Sequence, residues 1–304
     1  MARFRYITAD VFTNRAFGGN QLAVFPDATG IPEHRLLDVT REFNYSETTF
    51  VYPAEDPGNT RKVRIFTPGA EVPFAGHPTV GTAHVLAAIG DVKLTGESTN
   101  IVFEEGVGPI PITITAENGV PQFAQFAVAR LPELGPPAPD ATALAALLGL
   151  SPDDFVGGDW NARAYSCGLS FLYVPLRNID AVSRAQVRTD LWEQSMSTGA
   201  TRDICVFARE GSTTDVSIHS RVFVPGFGVP EDPATGSAAA ALAGYLAAQQ
   251  RNDDGTLQWR IEQGIEMGRP SIIDVEADVR SGRVNAVRVG GASVLVCEGT
   301  MEIS

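Results

Sequence analysis

The stretch Arg64-Ile65-Phe66-Thr67-Pro68-Gly69-Ala70-Glu71-Val72-Pro73 returns later in the chain as Arg221-Val222-Phe223-Val224-Pro225-Gly226-Phe227-Gly228-Val229-Pro230. The second copy starts 157 residues after the first, and six of its ten positions are identical. A repeat about half the chain long indicates that one structural unit has been duplicated. The sequence therefore predicts two similar domains.

The residues that follow the repeat extend it. After a one-residue gap, residues 76–81 align with residues 232–237, and each copy continues into a run of small residues, 82–89 in the first and 238–248 in the second. Alanine and short aliphatic residues favour helices that other chain segments can approach closely. Each copy thus predicts a strand, a Pro-Gly turn, a loop and a buried helix that begins near His77-Pro78 or Asp232-Pro233.

Short β-branched or aromatic segments surround both predicted helices. They are bounded by Gly, Pro, Asn or Asp, as strands commonly are. Together they predict an α+β fold in which a curved β-sheet surrounds a central helix in each half. The predicted strands are 46–52, 63–66, 110–115, 170–174, 204–208, 284–289 and 294–297.

The composition excludes several classes of function. The chain has 304 residues, of which 44% are hydrophobic and 19% charged, which is typical of a folded globular protein. Its formal charge of -13 repels nucleic acids and anionic membranes. The apolar run 238–248 is too short to span a bilayer. The three widely spaced cysteines, with no signal-peptide pattern before Asp10, favour reduced thiols and a cytoplasmic location.

Cofactor and metal motifs are not found in the sequence. The four histidines include no pair at metal-ligand spacing. Residues 76–81 lack the Lys-Ser/Thr ending of a phosphate loop, and no Gly-x-Gly-x-x-Gly opens a helix after a strand. We expect no NAD, FAD, ATP or metal ion.

The two predicted helix starts are candidate anion-binding sites. Proline in a first helical turn leaves the neighbouring N–H groups free to bind an anion, so two such ends facing one cleft could hold a single carboxylate substrate. The alternative is that Asp232 is an ordinary N-cap and His77 a polar residue at a helix entrance. The residues alone leave both interpretations open.

Glu47 is the candidate proton carrier, since it lies in the strand-like segment 44–51. If Glu47 is buried among its aromatic and β-branched neighbours, its pKa is raised towards neutrality, as a general acid–base requires. The alternation of a strand equally allows Glu47 to face solvent. Asn20, in the turn at 18–21, could line a site or only form the turn. Arg269, in the loop cluster 263–271, is a possible carboxylate ligand.

Five motifs in this order resemble the PhzF-like family of the diaminopimelate-epimerase-like superfamily. They are residues 46–50, 66–68, 75–83, 231–239 and 263–271. The resemblance implies two pseudo-symmetric domains with the active site in a cleft, a homodimer and no cofactor. On this basis we expect domains at 1–118 and 119–291, with the closing strand 292–304 completing the first.

The family's founding activity is the isomerisation of trans-2,3-dihydro-3-hydroxyanthranilate in phenazine biosynthesis. The resemblance implies that Glu47 takes a proton from carbon and returns it elsewhere on the same face. His77 and Asp232 would complete the catalytic set by binding and polarising a small carboxylate substrate. The residues expected to bind substrate are Asn20, Ser46, Gly76, Gly236 and Ser237.

Two alternatives remain. The superfamily's epimerases and racemases use a cysteine at each helix start, where this chain has Gly76-His77 and Asp232-Pro233, so a two-thiol mechanism is disfavoured. Epimerisation of a small amino or carboxylic acid through Glu47 and Asp232 stays open. So does a member of the family that binds a metabolite or protein without catalysis, since a fold does not guarantee turnover.

Overall fold

The computed structural model describes residues 2–227, 229–250 and 254–304. The chain forms two compact units, the first comprising residues 1–129 and 290–304 and the second residues 130–289. The boundary predicted after Asn118 lies in an Asn118-Gly119 turn, where both residues have positive φ. Asn-Gly is the preferred dipeptide of a two-residue hairpin turn, so the chain continues there into another strand of the first unit.

The first unit begins with eight strands and two helices. These are β1 (Ala2–Val11), β2 (Asn20–Phe25), α1 (Leu36–Phe43), β3 (Glu47–Tyr52), β4 (Arg61–Phe66), β5 (Glu71–Val72), α2 (Gly76–Ala88), β6 (Ser98–Glu105), β7 (Gly108–Glu117) and β8 (Val120–Ala127).

The second unit follows, and then the chain returns to the first. The elements are β9 (Glu133–Leu134), α3 (Ala141–Leu148), β10 (Arg163–Ser166), β11 (Ser170–Pro175), α4 (Ile179–Arg184), α5 (Thr189–Ser195), β12 (Asp203–Ala208), β13 (Ile218–Val224), β14 (Val229–Asp232), α6 (Gly236–Gln249), β15 (Gly255–Gln263), β16 (Ser271–Arg280), β17 (Arg283–Gly291) and β18 (Ser293–Ile303).

Strand pairing has the same order in both units. In the first, β1–β2 and β3–β4 are antiparallel while β2–β3 and β4–β6 are parallel. In the second, β10–β11 and β12–β13 are antiparallel while β11–β12 and β13–β15 are parallel. The short strands β5 and β14 pair with β4 and β13. The α+β fold with two pseudo-symmetric domains is therefore confirmed.

Each unit is built around one buried helix. Residues 76–87 of α2 are all buried, and α2 contacts β1, β2, β3, β7 and β8. Helix α6 is similarly buried against β10, β11, β15 and β16. A helix that is apolar all round must be enclosed, and the sheet of its own unit encloses it. The strands and the helix starts of each unit thereby take fixed positions.

Candidate active site

Glu47 and His77 are neighbours in the first unit. Glu47 is the first residue of β3 and pairs with Leu22 of β2, and its side chain is 17% exposed. His77 is the second residue of α2 and its side chain is 5% exposed. The Nε2 atom of His77 lies 3.6 Å from Oε2 of Glu47. The structure thus brings together two of the predicted catalytic residues and shields both from bulk solvent.

The protonation of His77 follows from its surroundings. Burial lowers the pKa of His77 to about 3, although a hydrogen bond to the Gln21 backbone opposes this. Since Nε2 has no hydrogen-bond partner among the described residues, we assign the bond to Gln21 and the proton of the neutral ring to Nδ1. Nε2 therefore presents a lone pair towards Glu47, and it can accept a hydrogen bond when that carboxyl group is protonated.

The start of α2 offers backbone donors beside this pair. Ala75 is the N-cap and its side chain makes no capping bond. Pro78 has no N–H, and Thr79 already donates to the Ala75 carbonyl. The N–H groups of Gly76 and His77 therefore have no acceptor within the helix and, with the helix dipole, favour a bound anion.

Two other predicted binding residues belong to the same unit. Asn20 begins β2 and is buried, and its neighbour Gln21 supplies the backbone contact to His77. Ser46 directly precedes Glu47 and is partly buried. Both lie in the chain segments that position Glu47 and His77.

The second unit corrects the expected helix start. Helix α6 begins at Gly236 with Thr235 as N-cap, whereas Asp232 is the last residue of β14. In the first unit, α2 begins at Gly76, before Pro78 rather than at it. By position in the helix, Gly76-His77 therefore corresponds to Gly236-Ser237 rather than to Asp232-Pro233.

Asp232 is held beside the helix start by hydrogen bonds. The hydroxyl of Thr235 donates to its carboxylate at 2.5 Å, and the side-chain amide of Gln263 donates to its backbone carbonyl at 2.7 Å. Gln263 also accepts from the Thr235 N–H at 3.2 Å. Asp232, Gly236 and Ser237 thus form a second group of predicted site residues, and Gln263 bonds the segment from Asp232 to Thr235 that precedes the helix.

The model of the family described as "phenazine biosynthesis-like protein" (PhzC-PhzF) matches residues 9–299. The chain belongs to this family. It is 39% identical over 303 residues to an uncharacterised isomerase of Mesorhizobium japonicum, covering 98% of both chains. It is 34% identical over 297 residues to the trans-2,3-dihydro-3-hydroxyanthranilate isomerase of Pseudomonas aeruginosa, covering 97% of this chain and 98% of the relative.

A solved structure of this phenazine biosynthesis-like family has the same fold. The PhzF-family protein of Bacillus anthracis superposes with a TM-score of 0.89 at 26% identity, and the match covers 100% of both chains. Because the related proteins are named isomerases, the prediction of an isomerase is confirmed at the level of enzyme class. Within the described residues, no helix is long and apolar enough to cross a membrane.

Some residues that support the site of this family member have no recognisable signal in the sequence. The loop at 263–271 was noted for Arg269, but the structure shows that Gln263 and Ser271 hold the segment before α6, with Ser271 donating to the Pro233 carbonyl at 2.8 Å. In the first unit, buried Glu105 contacts Thr79 in the first turn of α2. No sequence pattern around Glu105 distinguishes it from its neighbour Glu104.

Proposed function

We propose that the chain is a cofactor-independent isomerase that moves a proton on a small carboxylate substrate, as in trans-2,3-dihydro-3-hydroxyanthranilate isomerisation. The observation that carries the proposal is the pairing of Glu47 with neutral His77 beside the free N–H groups that start α2. A carboxylate, a hydrogen-bond acceptor for its protonated form and an anion-binding helix start are the groups that such a proton transfer needs.

In the proposed mechanism, ionised Glu47 takes a proton from a substrate carbon. Its new O–H can then donate to Nε2 of His77, which holds the acid in one orientation until the proton returns to another carbon. The N–H groups at Gly76 and His77 bind the substrate carboxylate. Asn20 and Ser46 bind the substrate beside Glu47, and Asp232, Gly236 and Ser237 bind and polarise it. In this proposal the electrostatic stabilisation comes from preorganised donors.

The test is proton transfer in deuterated water with wild type, Glu47→Gln and the matched control Glu42→Gln, whose side chain is exposed in α1. Dihydrohydroxyanthranilate and a panel of amino acids serve as substrates. We expect Glu47→Gln to reduce kcat by about 10²- to 10⁴-fold, the range of general acid–base catalysis, and Glu42→Gln to leave it unchanged. Turnover retained in Glu47→Gln would remove Glu47 from the mechanism.

Deuterium incorporation into the product distinguishes the proposed isomerase from an epimerase. A single carboxylate that returns its own proton incorporates little deuterium, whereas an epimerase with acids on both faces incorporates solvent deuterium on inversion. Cysteine bases have no support here, because burial raises the pKa of Cys167 to about 12 and that of Cys205 further. Binding without turnover or exchange for every compound would favour a non-catalytic binding protein.

We further propose a homodimer in the cytoplasm. All three cysteines, Cys167, Cys205 and Cys297, are unbridged, which suits a reducing compartment. Light scattering after size exclusion measures the oligomeric state directly, and a monomeric mass would reject the dimer.

A further inference from the structure

Glu105, at the end of β6, is a buried carboxyl group that the proposed mechanism does not use. Its side chain packs against the first turn of α2, and the residue is only 8% exposed. Oε1 lies 2.7 Å from the hydroxyl oxygen of Thr79, while Oε2 has no hydrogen-bond partner among the described residues. An ionised carboxylate with one bare, buried oxygen is strongly disfavoured.

The hydrogen bonds of Thr79 settle where the protons lie. The Thr79 hydroxyl is 2.8 Å from the Ala75 carbonyl and 2.7 Å from Glu105 Oε1. A hydroxyl has one proton to donate, and the Ala75 carbonyl can only accept. Both contacts are satisfied when Thr79 donates to Ala75 and Glu105 donates its own proton to Thr79.

We propose that Glu105 is a positioning residue that is held as a neutral acid, tying Thr79 and the N-cap Ala75 together without placing negative charge at the start of α2. The proposal builds on the proposed function, in which this helix start binds the substrate anion. A charge on Glu105 would compete with that anion for the positive end of the helix. The neutral acid fixes the turn and leaves the end available.

Burial supports this assignment, since it raises the pKa of Glu105 to about 8. The ionisable groups around Glu105 are already paired with one another. Lys62 of β4 bonds Glu55, Arg64 of β4 bonds Glu33 and Glu71, and Glu104 of β6 accepts from the N–H groups of Glu55 and Asp56. On α2, His77 is neutral at these pH values. The remaining ionisable residue at the rim of the surface cavity that Glu105 lines is Asp56.

The direct test is a difference infrared titration of wild type against Glu105→Gln, without substrate. We expect a protonated-carboxyl C=O band at neutral pH that disappears with a midpoint near 8, is missing from Glu105→Gln and persists in the adjacent control Glu104→Gln. Thr79→Val removes the hydroxyl that accepts the Glu105 proton and so destabilises the neutral acid, and the midpoint should therefore lie lower. A Glu105 that is ionised at neutral pH, or a midpoint unmoved in Thr79→Val, would overturn the proposal.

Kinetics supply the second readout. In wild type, KM for the anionic substrate should rise as pH passes about 8 while kcat stays level, and in Glu105→Gln this rise in KM should vanish, because the amide can donate to Thr79 but cannot ionise. A KM profile identical in the two proteins contradicts the role in substrate binding. Lack of turnover on any compound rejects the proposed function instead, while the infrared result still decides whether Glu105 is neutral. If Glu105→Gln fails to fold, the wild-type and Thr79→Val titrations carry the test.

Discussion

His77, His84 and His219 are all buried, yet their environments set opposite charges. Burial lowers the pKa of His77 to about 3 and that of His84 to about 4. Burial alone would also lower the pKa of His219, but its hydrogen bonds to Glu266 and Glu262, at 2.9 and 2.7 Å, outweigh burial and raise it. Histidine can thus serve as a neutral proposed partner for Glu47 in one place and favour the charged form in another.

Nitrogen-15 NMR of the imidazole rings tests this difference. Near pH 6.5, the ordinary histidine pKa, we expect His77 and His84 to be neutral and His219 to be an imidazolium. Since the folded-state pKa of His77 lies below its unfolded value, its contribution to stability is complete above pH 6.5 and is lost as the pH falls towards 3. Assignment by single His→Gln variants identifies each ring, and an imidazolium at His77 near neutral pH would contradict the proposed hydrogen bond from Glu47.

The candidate site residues can be proposed from the sequence one at a time, but the residues that support them cannot. Glu47 and His77 carry recognisable chemistry within motifs, so the sequence alone is enough to propose them. Glu105 and Gln263 act through distant partners, Thr79 and the segment 232–235, and neither contact leaves a local pattern. Whether a carboxylate is buried or solvent-facing depends on the packing of other elements, which one segment does not encode.

Among the secondary-structure elements, the start of α6 was predicted four residues too early because proline is an ambiguous signal, whereas the start of α2 was predicted within one residue. Pro78 lies within the first turn of α2, whereas Pro233 precedes α6 and only ends β14. Proline suits a first helical turn and an extended connection equally, since both need φ near -65°. The predicted strands were placed well because β-branched runs bounded by turn residues have few alternative structures.

Gln263, the last residue of β15, connects this strand to the segment just before α6. Its amide makes three hydrogen bonds, to the Asp232 carbonyl, the Thr235 N–H and the Thr235 hydroxyl. We expect Gln263→Leu to lower the free energy of unfolding by about 2 kcal/mol or more, since buried polar partners lose their bonds. Chemical denaturation measures the change.

The matched control for Gln263→Leu is Gln258→Leu on the same strand. Gln258 is exposed and bonds only Glu276 among the described residues, so its replacement should change stability by less than about 0.5 kcal/mol. Equal effects of the two substitutions would show that Gln263 contributes no more than a surface residue.

Gly81 lets α2 lie against the sheet of the first unit. A Cβ added there would come within 2.5 Å of Val11 Cγ2 and 2.6 Å of Leu22 Cδ2. Alanine is a better helix former by about 1 kcal/mol, but overpacking a buried contact costs about 1–3 kcal/mol. We expect Gly81→Ala to lower the melting temperature despite its helix propensity. In the control Gly69→Ala, the added Cβ would meet nothing closer than 3.7 Å, so the melting temperature should stay unchanged. A larger fall in melting temperature for Gly69→Ala than for Gly81→Ala would refute the close contact at Gly81.

At the scale of the whole molecule, the duplication extends beyond the sequence repeat to its ion pairs. Arg64 and Arg221 are aligned in the repeat, and each bonds a glutamate of the short strand that follows, Glu71 in β5 and Glu231 in β14. The repeat therefore preserves the contact that docks the segment leading into each central helix. This long-range regularity is why the two-domain fold could be predicted from the sequence.

The last strand, β18, belongs to the first unit although it lies at the C-terminal end of the chain. It pairs with β1 from Ala2–Ile303 to Val11–Ser293, and Ile303 packs in the core cluster with Phe25 and Phe50. A chain that stops at Ala292 exposes the free edge of β1 and part of that core. Because the net stability of a domain is only about 5–15 kcal/mol, removal of an 11-residue strand should be enough to destabilise the first unit severely.

Hydrogen exchange of the truncated chain, compared with wild type and with Glu298→Gln, measures this loss. Glu298 makes an exposed ion pair with Arg5, so removing its charge should cost less than about 1 kcal/mol. We expect truncation to remove protection from β1, β2 and β3, because each forms hydrogen bonds with the next, and to leave β11, β12 and β13 protected. A synthetic peptide of residues 293–304 should restore protection to β1. Unchanged exchange in β1 would mean that its backbone does not depend on the chain's last strand, whereas loss of protection in all six strands would mean that the two units do not fold separately.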